Sequence, residues 1–269
     1  DCRAFQGVLA SMATSRRFLL PPLHAELQLA RSRLALYRPL LPLGSLKDAI
    51  HRSADPRRPY SHKYEGLGDP RQPAHGPAPL AAPLVALYGR QVLEGLRALR
   101  SIGIAGVHLH SGNVLLERQS GPGGALVCLI AEAELVLVGA RPYAELLALP
   151  RPAAGSARFV LERDIACFGL LLFEMLTAAE LTEQELSNWQ AAVARNARFP
   201  GPPQAWALLR RIFLPTADVV RGPTLLELLA DPYFSVALPP HAAPHAAPPE
   251  LSPACAAMLA AARGRCNDL

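Results

Sequence analysis

Hydrophobic positions change their spacing several times along this chain, and each change marks a different element. Residues 23–38, LHAELQLARSRLALYR, alternate with a period of two, which predicts two strands around a short turn. PLGSLKDAI follows: Gly44 breaks the strand, and Ser45 with Asp48 makes a capping-box start for a short helix. In LVALYGRQVLEGLRALRSIG, residues Val85, Tyr88, Val92, Leu96 and Leu99 recur at helical spacing and form one apolar face. VLLE and ALVCLI are short apolar runs joined by RQSGPGG, whose turn residues predict a hairpin. DIACFGLLLFEML is apolar in every direction, the pattern of a helix buried on all sides. Two later segments open with capping pairs, Thr182 with Glu185 and Thr224 with Glu227, and Pro232 punctuates the second.

Between these elements, residues 52–83 are rich in Pro, Arg, His and Gly and read as a long loop. From Ser235 the chain turns to Pro, Ala and His, then to ACAAMLAAARGRC, which reads as a flexible connector with a marginal helix. Strands are few and early, and helix dominates after residue 83. That order predicts the α+β class, a small strand pair leading into a mainly helical body.

Composition adds bounds rather than a function. Of 269 residues, 51% are hydrophobic, enough for a sizeable core and too many for global disorder. The net charge is +5, carried almost wholly by arginine, since Lys47 and Lys63 are the only lysines. The arginines are scattered with no aromatic-interleaved stripe, so a nucleic-acid partner is not expected. Five cysteines form no CxxC pair, and Cys128 and Cys167 sit in apolar runs as buried thiols; a reducing, cytoplasmic setting is expected. No apolar run of 18 residues and no signal peptide is visible, and a start at Asp1 reads as a fragment or a processed product.

The chemistry concentrates in GVHLHSGNVLLE, residues 106–117. An HxH pair can hold a metal, but a shell needs further ligands, and the only later histidines are His241 and His245 in the Pro-rich tail. No metal is therefore assigned to it. His108 and His110 can equally be loop histidines bonded to backbone.

A third reading uses the whole neighbourhood. LHSGNVLL resembles the protein-kinase catalytic loop, H-R-D-L-x-x-x-N before a strand, with Leu109 and Asn113 in register and His108 at the catalytic-aspartate position. DIACFG resembles the kinase segment that opens the buried central helix, with Asp164 and Gly169 aligned, and RGPTLLELLADPYF resembles the usual kinase ending. With GSLKDAI and LYGRQVLEGLRALRSIG added, residues 14–236 resemble the PX-domain-containing kinase-like family, which includes the slowpoke-binding proteins.

The resemblance implies a kinase-like fold: a partial N-lobe over residues 1–43, a helical C-lobe over 44–236, and a Pro/Ala-rich tail over 237–269. It implies that Asp164 holds the catalytic loop by backbone hydrogen bonds and that Asn113 and Glu132 stand at the magnesium and ATP positions. It also implies protein partners, and membrane contact only through a PX domain that these residues do not contain.

Phosphoryl transfer needs a lysine on the phosphates, carboxylate and asparagine on the metal, and an aspartate orienting the hydroxyl. Within these residues Lys47 is the first lysine and Gly7 the only glycine before Gly44, so the stretch before the hinge near 38–44 holds no GxGxxG loop. Glu132 adds a methylene where the metal aspartate would be, and Glu134 stands where that loop keeps a glycine. No Ala-Pro-Glu element is recognisable further on. A catalytically impaired pseudokinase acting as a protein-interaction scaffold is the expected function, with ATP and magnesium bound weakly if at all. The alternative is a serine/threonine kinase with degenerate motifs.

Overall fold

The computed structural model describes residues 2–14, 18–28, 33–52, 78–119, 124–139, 161–181, 201–213, 221–238 and 251–267. In chain order its elements are α1 (Cys2–Thr14), β1 (His24–Gln28), β2 (Arg33–Tyr37), α2 (Leu46–His51), α3 (Ala82–Ser101), β3 (Val114–Arg118), β4 (Leu126–Ile130), α4 (Arg163–Thr177), α5 (Pro203–Phe213), α6 (Leu225–Leu229) and α7 (Pro253–Asn267). Short 3-10 turns cover Ser111–Asn113, Ala133–Val138 and Pro232–Phe234. The mixture of many helices with two small hairpins is the α+β class expected.

The first hairpin forms where alternation predicts it, and the second where two apolar runs flank turn residues. β1 and β2 pair antiparallel from His24 opposite Tyr37 to Gln28 opposite Arg33, and β3 and β4 pair from Val114 opposite Ile130 to Arg118 opposite Leu126. The second hairpin is gripped at both edges. Leu20 N–H donates to Ile130 O and Ile130 N–H to Phe18 O, while on the other side Leu116 N–H donates to Gly44 O. These bonds join the segments around the first hairpin to the helical body.

Helix α2 starts on the expected capping box: the Ser45 side chain accepts from the Asp48 N–H and the Asp48 side chain from the Ser45 N–H. The same device, Thr224 with Glu227, opens α6. On α3 the face of Val85, Tyr88, Val92, Leu96 and Leu99 is buried throughout. Helix α4 is buried along every residue from Asp164 to Thr177, with Phe168 and Phe173 fully enclosed. Each such Leu or Phe contributes roughly 1.5–3 kcal/mol by leaving water, so α3 and α4 form the axis of the core.

Helix α5 crosses α4 closely at Gly169, where a Cβ would stand 2.7 Å from the Phe213 ring and 2.9 Å from Ile212. Any side chain there separates the helices, which gives Gly169 a packing reason to be glycine.

The helix expected near the end of the chain is α7, over Pro253–Asn267. Helix α7 is capped by Ser252, whose hydroxyl accepts from the Cys255 N–H, and it packs on α1 and on the turn 133–138. Cys255, Leu259 and Ala262 are its buried face, and the Cys255 thiol donates to Ala4 O. Small side chains let it approach: a Cβ on Gly7 would lie 2.6 Å from Cys255 Sγ. Alanine-rich composition suggested marginal stability, but a smooth small-residue surface is also what close helix contact needs. Most of the loop at 52–83, the Thr182–Glu185 cap and the stretch searched for Ala-Pro-Glu lie outside the described residues.

Candidate functional site

The loop between α3 and β3 is set first by backbone geometry. Gly103 and Gly106 take positive φ angles of 89° and 69°, and Ile104 N–H returns to Leu99 O to close the helix. Both conformations favour glycine. Val107 and Leu109 are buried, leaving His108 and His110 half-buried on the other side.

Asp164, at the first turn of α4, meets this loop from below. Its carboxylate accepts Val107 N–H at 2.9 Å and Gly106 N–H at 3.2 Å, with the Arg100 guanidinium 3.7 Å away. Burial pushes its carboxyl above the ordinary range, opposed by Arg100 and the two amides. The N-cap of α4 is Glu162; Asp164 instead spends its acceptors on the loop.

Asn113 closes the loop from above. Its amide nitrogen donates to His108 O at 3.1 Å and to Glu132 Oε2 at 3.2 Å. The two residues that the kinase resemblance would put at magnesium positions stand side by side. Glu132 takes a left-handed backbone, φ 61° and ψ 13°, at the start of the turn 133–138.

Glu134 corrects an expectation. The left-handed conformations fall on Glu132 and Gly139, whereas Glu134 lies inside the 3-10 turn and needs no glycine's freedom. Its carboxylate is fully buried and ion-paired with Arg38, just after β2. Burial lowers the Arg38 guanidinium pKa, and the Glu132 carboxylate opposes that shift. Sequence reasoning missed this pair because its members are 96 residues apart.

The two histidines do different things. Their rings stand edge to face with centroids 5.1 Å apart. His110 is a backbone-bonded loop histidine: Nδ1 accepts Gly112 N–H at 3.1 Å and caps the turn Ser111–Asn113. Burial first, then the neighbouring His108 and Lys47, lower its pKa from 6.5 to about 4. The unfolded chain therefore takes up this proton first, so the stability His110 contributes is present above pH 6.5 and lost as pH falls through about 4. At about 1.4 kcal/mol per pH unit, the whole effect is at most about 3 kcal/mol. His110→Asn, which retains an acceptor for Gly112, is expected to flatten denaturant midpoints measured between those pH values. An unchanged acid slope would assign the loss to other groups.

Beneath His110 lies a polar cluster that the motifs did not announce. Glu174 Oε1 accepts the Ser111 hydroxyl at 2.9 Å and lies 3.0 Å from His51 Nε2; Lys47 and Glu180 form an ion pair nearby. A signal for it existed. A carboxylate inside FGLLLFEML, a helix buried all round, has to find a partner.

An asparagine beside a carboxylate, a loop tied by an aspartate to a buried helix, and a hairpin between them define a protein-kinase-like chain. The crystal structure of the Rad53 kinase domain and SCD2 superimposes with a TM-score of 0.53 over 96% of this chain and 86% of that one, at 15% identity. That likeness is one of fold. In sequence the chain is 27% identical over 247 residues to the probable inactive serine/threonine-protein kinase slob1 of Dictyostelium discoideum, covering 87% of this chain and 38% of that protein. It is 34% identical over 152 residues to the Slowpoke-binding protein of Drosophila melanogaster, covering 55% and 25%. It is also 31% identical over 132 residues to the PX domain-containing protein kinase-like protein of Mus musculus, covering 49% and 20%. The chain is similar in sequence to these kinase-like proteins and spans 20–38% of their length. No family model matches it.

Proposed function

We propose that this chain is a kinase-like domain impaired in phosphoryl transfer, whose helical body binds other proteins in a reducing, cytoplasmic setting. The observation that carries the reading is the loop itself. Asp164 and Asn113 keep its backbone in shape, yet the position that would orient the accepting hydroxyl holds an imidazole, His108. A neutral imidazole has no fixed negative charge with which to orient that hydroxyl. Support for the scaffold role comes from the relatives, one named a Slowpoke-binding protein and two named probable inactive kinases. Buried thiols at Cys128, Cys167 and Cys255, none in a disulfide, are in keeping with a reducing compartment.

The test has two arms on the 269-residue chain. Thermal shift with ATP and magnesium is expected to show little or no stabilisation, and His108→Asp is expected to leave phosphotransfer to a generic protein substrate undetectable. The aspartate alone supplies no phosphate lysine or glycine loop, and positioning is most of what such enzymes provide. Activity in the unmodified chain that His108→Ala abolishes would overturn the proposal.

The Asn113–Glu132 contact favours a second reading, a serine/threonine kinase with degenerate motifs, because it brings an amide and a carboxylate to one ion position. Magnesium-dependent micromolar ATP binding lost in Glu132→Gln would favour it.

A further inference from the structure

We propose that the side-chain cluster where α2 meets the end of α4 is a binding site for a zinc-type divalent metal ion, with His51, Glu174 and Glu180 as its ligands. It is separate from the Asn113–Glu132 position and does not depend on the function proposed above.

The three side chains come from different elements and converge. His51 ends α2, Glu174 lies in the last turn of α4, and Glu180 follows that helix. One ligand atom from each lies within 4.8 Å of the others, and His51 Nε2 is 3.0 Å from Glu174 Oε1. Two ligands on a tetrahedral zinc, each bonded at about 2.0–2.1 Å, stand about 3.4 Å apart. The cluster is therefore already near the dimensions required, and the ion replaces the His51–Glu174 hydrogen bond.

Burial is graded toward solvent. His51 and Glu174 are buried, whereas the Glu180 side chain is 48% exposed, so an ion enters past Glu180 and its last waters leave against the other two. Glu174 and Glu180 border one pocket with Lys47, His110 and Ser111, and His51 stands against Glu174 at 3.0 Å. The Ser111 hydroxyl, bonded to Glu174 Oε1, fixes that carboxylate's direction, the kind of outer support that metal carboxylates have.

Ligand chemistry selects the ion. One imidazole with two carboxylates suits zinc, whereas magnesium and calcium prefer all-oxygen shells and keep more water. Charge points the same way: two carboxylates converge here, and in the metal-free chain the Lys47 ammonium supplies a positive charge by pairing with Glu180. Lys47 and the metal therefore compete for one carboxylate. Three protein ligands leave a fourth position open toward the pocket.

The experiment is calorimetric titration of the full chain with zinc in excess magnesium, in a His241→Ala/His245→Ala background that removes the tail histidines. One zinc per chain is expected. Glu180→Gln, at a half-exposed position that the fold tolerates, is expected to weaken it tenfold or more, and Lys47→Met to tighten it. Cobalt should give tetrahedral-type visible absorption that Glu180→Gln diminishes. Zinc affinity unchanged by Glu180→Gln, weaker binding in Lys47→Met, or no uptake at millimolar zinc would each overturn the site.

Discussion

Asp164→Ala is expected to destabilise this chain by about 4 kcal/mol, well beyond the roughly 1 kcal/mol that loss of a helix cap costs. The carboxylate is 3% exposed and accepts the Val107 and Gly106 amides, neither of which has water to turn to. Each buried donor left unpaired costs about 1–3 kcal/mol, and Arg100 loses a neighbouring charge as well. Asp164→Asn keeps an acceptor for one amide and should fall between wild type and alanine. Urea unfolding with constant m-values is the measurement. A cap-sized loss would show that the loop is held by Val107 and Leu109 packing rather than by the carboxylate.

The role of Asp164 is implied by the resemblance to the kinase central-helix segment, whereas other elements are legible for a physical reason. Thr224 and Ser45 stand three residues before an acidic partner, the first strand pair alternates, and the second is a pair of apolar runs around turn residues. All of these are local periodicities or caps, which a single chain displays in order. Two carboxylates, Glu134, which sequence reasoning places at a glycine position, and Glu174, which it does not single out, take their meaning from partners far along the chain. Glu134 meets Arg38 and Glu174 meets His51, across 96 and 123 residues. No spacing rule reaches that far. Helix α7 is hard to read for a related reason: Cys255, Leu259 and Ala262 are ordinary by composition and become a face only against α1.

The same division separates what is retained from what is altered at the site. Groups that shape the loop, Asp164 with the Gly106 and Val107 amides and Asn113 with His108 O, have the geometry a kinase-like loop needs. On the function proposed above, the group that would act on a substrate hydroxyl is replaced at His108. Backbone satisfaction is required for folding whatever the chemistry, because an unpaired buried amide costs stability in every state of the protein. A fixed charge at position 108 is required only for transfer. A chain used as a binding scaffold can lose the second without losing the first.

Arg38→Ala should be the second severe substitution, at about 3–5 kcal/mol, because it leaves an unpaired charge in the interior. Glu134 is wholly buried in the turn after β4, and its described ionic partner is the Arg38 guanidinium arriving from the end of β2. Removing the arginine strands a carboxylate away from water, whereas Glu134→Ala leaves an arginine that is 19% exposed and can reach solvent. The glutamate deletion is therefore expected to cost less than the arginine deletion. Replacing both together, Arg38→Leu with Glu134→Leu, removes two charges from a low-dielectric site and substitutes apolar packing. Such exchanges are often neutral or stabilising by about 1–4 kcal/mol, so the double variant should be more stable than Arg38→Ala. Denaturant unfolding decides it, through a double-mutant cycle built with Arg38→Leu and Glu134→Leu singly and together. Coupling below about 0.5 kcal/mol, the range of independent sites, would mean that the pair does not join β2 to the turn.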